Sequence, residues 1–178
     1  MKSCYWLTLS LILHLPTLSF ADSERIRSAE SAGPASISKN ATIKDWNMEV
    51  LREGKNGWTC LPNNPKTSGN DPWCMNDPWL NFLDAITNKR NPSYNQTGIA
   101  YMLKGDTPVS NTDPYATEPK PGDDWVEGLQ AHIMILFPDR AQLKMFPTHS
   151  KAGGPWVMWP ETPYAHLMVP IDSYPPEK

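Results

Sequence analysis

Proline is the residue that most limits how this chain can fold. The 178 residues include 19 prolines, about twice the average usage of roughly 5%. Because proline fixes φ and lacks an amide hydrogen, it interrupts helices and interior strands alike. Residues 105–124 contain four prolines and are too long for a simple connection. The pattern predicts a small sheet overlaid by rigid, irregular loops.

The first 21 residues have the pattern of an export signal. Lys2 precedes an apolar run from residue 7 to residue 18, which is too short to span a bilayer. Ser19 and Ala21 then supply the small residues that a signal peptidase recognises. We expect cleavage after Ala21, a periplasmic or secreted product and no membrane span in the mature chain. The alternative, a buried N-terminal helix, would have to accommodate a proline at position 16.

Composition excludes some functions and fits one ordinary domain. The formal charge is −3, from 16 basic and 19 acidic residues, and no basic stripe is present, so nucleic acid is not an expected partner. Apolar residues make up 39% of the chain, enough for a core. Residues 22–178 are predicted to form a single domain.

The order of predicted elements indicates an α+β fold with a mostly antiparallel sheet and one or two helices. The strongest helix covers 78–89, where apolar residues follow Asp77-Pro78 at helical spacing. A shorter helix is predicted over 23–32. A hairpin is predicted around the turn 54–57. The expected strands are 42–52, 57–61, 98–103, 129–137, 156–159 and 164–169, and the expected loops are 62–78 and 105–124.

Two cysteines remain after the predicted cleavage, which removes Cys4. Thirteen residues separate Cys60 from Cys74. An even pair in an exported chain is usually oxidised, so we expect a Cys60–Cys74 disulfide. The alternative is a catalytic thiol.

A near-repeat places histidine and methionine on two strands in the same way. Ala-His-Ile-Met-Ile begins at residue 131 and Ala-His-Leu-Met-Val begins at residue 165. Because strand side chains alternate, His132 and Met134 share one face of their strand, as do His166 and Met168. If the strands pair, the four side chains converge into a ligand set suited to Cu(I). Alternatively, the methionines fill the core and each histidine bonds to the backbone.

No catalytic residue is assigned, and we expect a ligand-binding or accessory envelope protein rather than an enzyme. Its partner would be a small molecule, a glycan or a protein. Trp73 and Trp125 lie on polar loops and are the candidate contacts; they could instead pack down as local cores. Copper binding is one alternative function. The other is an envelope-acting hydrolase with His132 or His166 as its base.

Several motifs resemble a family of uncharacterised exported bacterial proteins. They cover nearly all of the chain after residue 21 and include Gly-Trp-Thr-Cys-Leu-Pro from residue 57, Asn-Asp-Pro from residue 70, Gly-Ile-Ala-Tyr-Met-Leu from residue 98, Ser-Asn-Thr-Asp-Pro from residue 110, Gly-Gly-Pro from residue 153 and Thr-Pro-Tyr-Ala-His from residue 162. The resemblance implies export and a bacterial source, and it transfers no catalytic residue.

Overall fold

A computed structural model describes residues 19–171 and shows the predicted α+β fold. Eight strands form one sheet and two more form a separate pair. The helices are α1 (Phe20–Glu30), α2 (Ala35–Ser38) and α3 (Asp77–Thr87), with 3-10 helices at Arg140–Met145 and Ser150–Ala152. The strands are β1 (Thr42–Lys44), β2 (Val50–Arg52), β3 (Trp58–Leu61), β4 (Trp73–Asn76), β5 (Gly98–Met102), β6 (Val109–Ser110), β7 (Trp125–Val126), β8 (His132–Leu136), β9 (Trp156–Met158) and β10 (His166–Pro170).

The eight-stranded sheet has the order β2-β1-β3-β4-β5-β8-β10-β9. It is antiparallel except between β1 and β3, and β6 pairs with β7 in the separate antiparallel pair.

The first helix begins earlier than the sequence pattern indicates. Ser19 caps it by accepting a hydrogen bond from the amide of Asp22, so the helix starts at Phe20 and not at residue 23. Most of the predicted export signal, residues 1–18, lies outside the described residues. Within residues 19–171, no helix is long and apolar enough to cross a membrane.

The hairpin predicted around residues 54–57 is wrong. The chain reverses earlier, at 45–49, where the Asp45 carboxylate accepts hydrogen bonds from the amides of Asn47 and Glu49. This turn pairs β2 with β1, and β3 then joins β1 on its other side in parallel. Gly54 lies in the segment that connects β2 to β3, where an added Cβ would lie 2.1 Å from the amide nitrogen of Thr42. The glycine marks a close approach of two backbones and not a turn.

The predicted loop 62–78 contains a central strand. β4 pairs with β3 on one side and β5 on the other, and α3 follows it directly. Asn76 occupies the N-cap position, but its side chain bonds to Ile99 and Thr97 across the sheet. Helix α3 starts at Asp77, one residue before the predicted start at 78, and ends at Thr87, two residues before the predicted end at 89.

The predicted loop 105–124 contains one short strand, β6, and pairs with the chain that follows it. Val109 lies opposite Val126, and Ser110 lies opposite Trp125. The Ser110 hydroxyl donates to Asp123 at 2.6 Å and accepts from the amide of Asp113 at 2.9 Å. These bonds brace a segment whose prolines limit regular structure.

The sheet has two buried faces of different composition. The disulfide face carries Cys60 and Cys74, which are directly paired across β3 and β4 and covalently joined. The expected disulfide is confirmed, and the catalytic-thiol alternative is wrong. Helix α1 covers this face through Ala29 and through Ala32, which lies two residues after the end of the helix. The other face, called the His/Met face, is covered by α3.

Candidate metal centre

Strands β8 and β10 are direct neighbours and bring the four predicted ligands onto the His/Met face. Met134 lies opposite Met168 in the antiparallel register. His132 lies opposite Pro170 at one end of the pair, and His166 begins β10 at the other end. The two methionines are therefore central, with one histidine on either side along the strands.

Two further methionines lie directly across from the histidines. Met102 of β5 is the register partner of His132, and Met158 of β9 is the register partner of His166. Directly opposed residues have Cβ atoms about 4.5–5.5 Å apart. Sequence reasoning missed both methionines, although the alternation of Gly98, Ala100 and Met102 places the last on the same face as the buried alanine.

The backbone before each strand holds the imidazole in the same way. Nδ1 of His132 lies 2.7 Å from the carbonyl oxygen of Gln130, and Nδ1 of His166 lies 2.9 Å from that of Tyr164. A carbonyl only accepts, so each Nδ1 carries the proton and donates it. Each Nε2 is then left with a lone pair.

Both Nε2 atoms are buried and have no hydrogen-bond partner among the described residues. His132 and His166 are each only 1% exposed. An unsatisfied buried polar atom costs about 1–3 kcal/mol, and such atoms are uncommon in native proteins. The feature occurs twice, at equivalent positions of the near-repeat.

Burial keeps both imidazoles neutral. It lowers the pKa of His132 to about 4, against the opposing effect of the Gln130 carbonyl. It also lowers the pKa of His166 to about 4, where the Tyr164 carbonyl opposes the shift and a positive charge on His132 would add to it. Neutral imidazole is the form that binds metal ions.

Aromatic side chains enclose His166. Its ring centroid lies 5.0 Å from that of Trp159, 5.2 Å from Trp79 and 5.8 Å from Phe82. Helix α3 supplies Trp79 and Phe82, and the Trp79 indole donates to the Met134 carbonyl at 3.0 Å. This bond fixes the helix over the centre of the His/Met face.

A buried asparagine attaches the proline-rich loop to the same core. The Asn111 side chain accepts from the Trp156 indole at 2.9 Å and donates to the Thr148 carbonyl at 2.9 Å. Its backbone carbonyl accepts from the Trp159 amide at 2.8 Å. The Ser-Asn-Thr-Asp-Pro motif thus holds Trp159, which contacts His166, and Trp156, which is the register partner of Met168.

The ligand atoms on this face are soft and uncharged. Five of the eight methionines belong to the hydrophobic core cluster on this face, and within residues 19–171 no acidic side chain contributes to the pKa shift of His132 or His166. They are Met75, Met102, Met134, Met158 and Met168. Within residues 19–171, no group of three or more His, Cys, Asp or Glu residues could hold a metal. Thioether and imidazole without carboxylate suit a soft ion.

The two tryptophans predicted as ligand contacts are both partly buried. Trp73 lies in β4, and its ring packs edge-on against Trp79 with centroids 6.1 Å apart. Trp125 lies in β7 opposite Ser110. A shallow groove of about 250 Å³ occurs elsewhere, beside Met48 and Leu83, and neither tryptophan lines it.

The hydrolase alternative needs a histidine beside a carboxylate and a nucleophile. His132 and His166 instead hold backbone carbonyls through Nδ1. Their Nε2 atoms contact no hydroxyl or acid within hydrogen-bond distance in the described part of the chain. Among the described residues, neither histidine is therefore placed beside the carboxylate and hydroxyl that this alternative requires.

Comparisons with known proteins found no match to a family model, a curated protein or a solved structure.

Proposed function

We propose that this chain is an exported bacterial binding protein whose ligand is a soft monovalent metal ion, Cu(I) or a close chemical equivalent, held on the His/Met face. The observation that carries the proposal is the pair of buried Nε2 atoms without partners, in two imidazoles fixed through Nδ1. Metal-binding histidines are commonly held in this way, with the second nitrogen donating to a backbone carbonyl.

The charge of the surroundings favours a monovalent ion. The cost of moving an ion from water into a low-dielectric core rises steeply with its charge. Among the described residues no acidic side chain acts on the pKa of either histidine, and Cys60 and Cys74 are joined in a disulfide, so no carboxylate or thiolate beside the histidines offsets this cost. Zn²⁺ and Cu²⁺ would therefore bind more weakly than Cu⁺ or Ag⁺. The thioethers between the histidines, Met134 and Met168, add the same preference through their softness.

A competition titration tests the proposal. Purified protein is mixed anaerobically with Cu(I) and a chromogenic Cu(I) chelator, and the metal withdrawn from the chelator is measured. Loss of a group that only hydrogen-bonds to a metal ligand lowers metal affinity roughly 10- to 100-fold. We expect the His132→Leu/His166→Leu double variant, which loses the ligands themselves, to lose more Cu(I) affinity than that.

The matched control is His149→Ala, which changes an exposed histidine. Circular dichroism confirms that each variant is folded, and leucine is chosen because it refills the buried space. Wild-type affinity in the folded double variant would overturn the proposal, as would the absence of Cu(I) binding by the wild type.

Export is tested separately. The full chain is expressed in a Gram-negative bacterium, and the protein recovered from the periplasm is weighed by intact-mass spectrometry. We expect a chain that begins at Asp22 and contains the Cys60–Cys74 disulfide. A chain that retains Met1 and stays in the cytoplasm would contradict export, and it would leave the metal site to its own test.

A further inference from the structure

The His/Met face has an approximate local two-fold symmetry. An axis through the Met134–Met168 pair exchanges β8 with β10 and the outer strands β5 with β9, because all of these pairs are antiparallel. It exchanges His132 with His166, and it exchanges their register partners, Met102 and Met158. The near-repeat in the sequence supplies the two inner strands of this arrangement, and Met102 and Met158 come from the two outer strands.

The register separates the two histidines along the strands. His132 pairs with Pro170 and His166 begins β10, so they lie four residues apart in register, which is about 13 Å at a strand rise of roughly 3.3 Å. A single ion bound by both Nε2 atoms would bring those nitrogens within about 4 Å, since metal–nitrogen bonds are about 2 Å long. Each histidine has a closer register neighbour in its own methionine.

We propose that the face holds two monovalent ions, one in a couple formed by His132 and Met102 and the other in a couple formed by His166 and Met158. This inference rests on the proposed function and assigns Met102 and Met158 as ligands. All four side chains are at most 3% exposed. Met134 and Met168 lie between the couples. Each of them is two residues in register from His132 and two from His166, which is the next position on the same face of the sheet.

Two ions in neighbouring couples repel each other. If the ions keep the register spacing of their histidines, about 13 Å, two unit charges at an effective dielectric constant of about 20 repel enough to weaken the second binding step about tenfold. The face therefore takes up its ions in two unequal steps. A single divalent ion would concentrate the same total charge at one point, which costs more desolvation.

Native mass spectrometry with Ag⁺ tests the stoichiometry, because Ag⁺ has the softness of Cu⁺ and does not change oxidation state under these conditions. We expect two ions per wild-type chain and one ion in either Met102→Leu or Met158→Leu. These replacements keep volume and polarity and cost less than about 1.5 kcal/mol of stability, so lost binding reports the missing sulfur.

Met75→Leu is the matched control, since Met75 is buried on the same face, and its register partners are Thr59 and Ala100. It should retain both ions.

One ion in the wild type, unchanged by Met102→Leu and Met158→Leu but lost in the double histidine variant, would overturn the two-ion inference and leave the proposed function standing. Two ions insensitive to both leucine variants would overturn the ligand assignment. No bound Ag⁺ in the wild type would overturn both proposals.

Discussion

The two faces of the sheet are packed by opposite means. On the disulfide face, small residues allow α1 to approach closely, and a Cβ added at Gly33 would lie 3.1 Å from the Cβ of Cys74. On the His/Met face, flexible thioethers and two imidazoles pack under the large aromatic side chains of α3. The first arrangement serves stability, and the second leaves two nitrogens unsatisfied at a cost in stability. The proposed metal site lies on the face that bears this cost.

Acid should destabilise the metal-free protein through the His/Met face, and this is the largest effect we expect. Both histidines have a folded pKa of about 4, below the ordinary value of 6.5, so the unfolded chain takes up protons first as the pH falls. The contribution of the histidines to the free energy of unfolding is therefore unchanged above pH 6.5 and falls between pH 6.5 and pH 4, by about 3 kcal/mol per histidine. Chemical denaturation across this range measures the loss.

The double variant His132→Leu/His166→Leu isolates that effect. Burial raises the pKa of Asp106 to about 7. Because this carboxyl binds its proton more readily in the folded protein, it increases the free energy of unfolding as the pH falls from 7 towards 4, opposite to the histidines. Without the histidines, the acid loss between pH 6.5 and pH 4 should disappear. An equal loss in wild type and variant would show that the imidazoles are not buried as described.

Removal of the disulfide should weaken the fold and leave the metal site intact. Cys60→Ala/Cys74→Ala should lower the free energy of unfolding by about 3 kcal/mol, since the bond closes a loop of 14 residues. The disulfide lies on the face opposite the histidines, so Ag⁺ stoichiometry should not change. Guanidinium denaturation and native mass spectrometry measure the two quantities. A parallel loss of bound Ag⁺ would remove the distinction between the faces.

Enlargement of a small residue should be costly on the disulfide face. Ala29 is completely buried against the disulfide cluster, and Ala29→Leu should cost about 1–3 kcal/mol through overpacking. The free energy of unfolding measures it. A neutral result would mean that α1 is held more loosely than its contacts indicate.

Exchange of methionine for leucine should have the smallest effect. Met75→Leu on the His/Met face keeps volume and polarity, so its cost in unfolding free energy should stay below about 1.5 kcal/mol. The same denaturation assay compares it with Ala29→Leu. A larger loss for Met75→Leu than for Ala29→Leu would reverse the packing contrast.

Local pattern was enough to predict part of this site. Alternation alone put His132 with Met134 and His166 with Met168, and the structure places these four on one face of adjacent strands. Met102 and Met158 could not be predicted in the same way, because their roles depend on which strands lie next to β8 and β10. Strand order joins residues far apart in sequence, and no local spacing encodes it.

The errors in the fold have the same origin. Asn56-Gly57 resembles a hairpin turn, but the reversal at Asp45 places β1 between β2 and β3. The proline and asparagine residues around β4 indicate a loop, but β4 is a strand because it pairs with β3 and β5. In both cases tertiary pairing outweighs the local turn signal.

The most direct test of the account is ¹⁵N NMR of the histidine rings at neutral pH, with and without Ag⁺. We predict that both His132 and His166 are neutral and protonated at Nδ1, and that their Nε2 resonances shift when Ag⁺ is added while those of His149 do not. Nε2 resonances of His132 and His166 that show attached protons, or that stay unchanged at saturating Ag⁺, would contradict the claim that these nitrogens are held free to bind a soft metal ion.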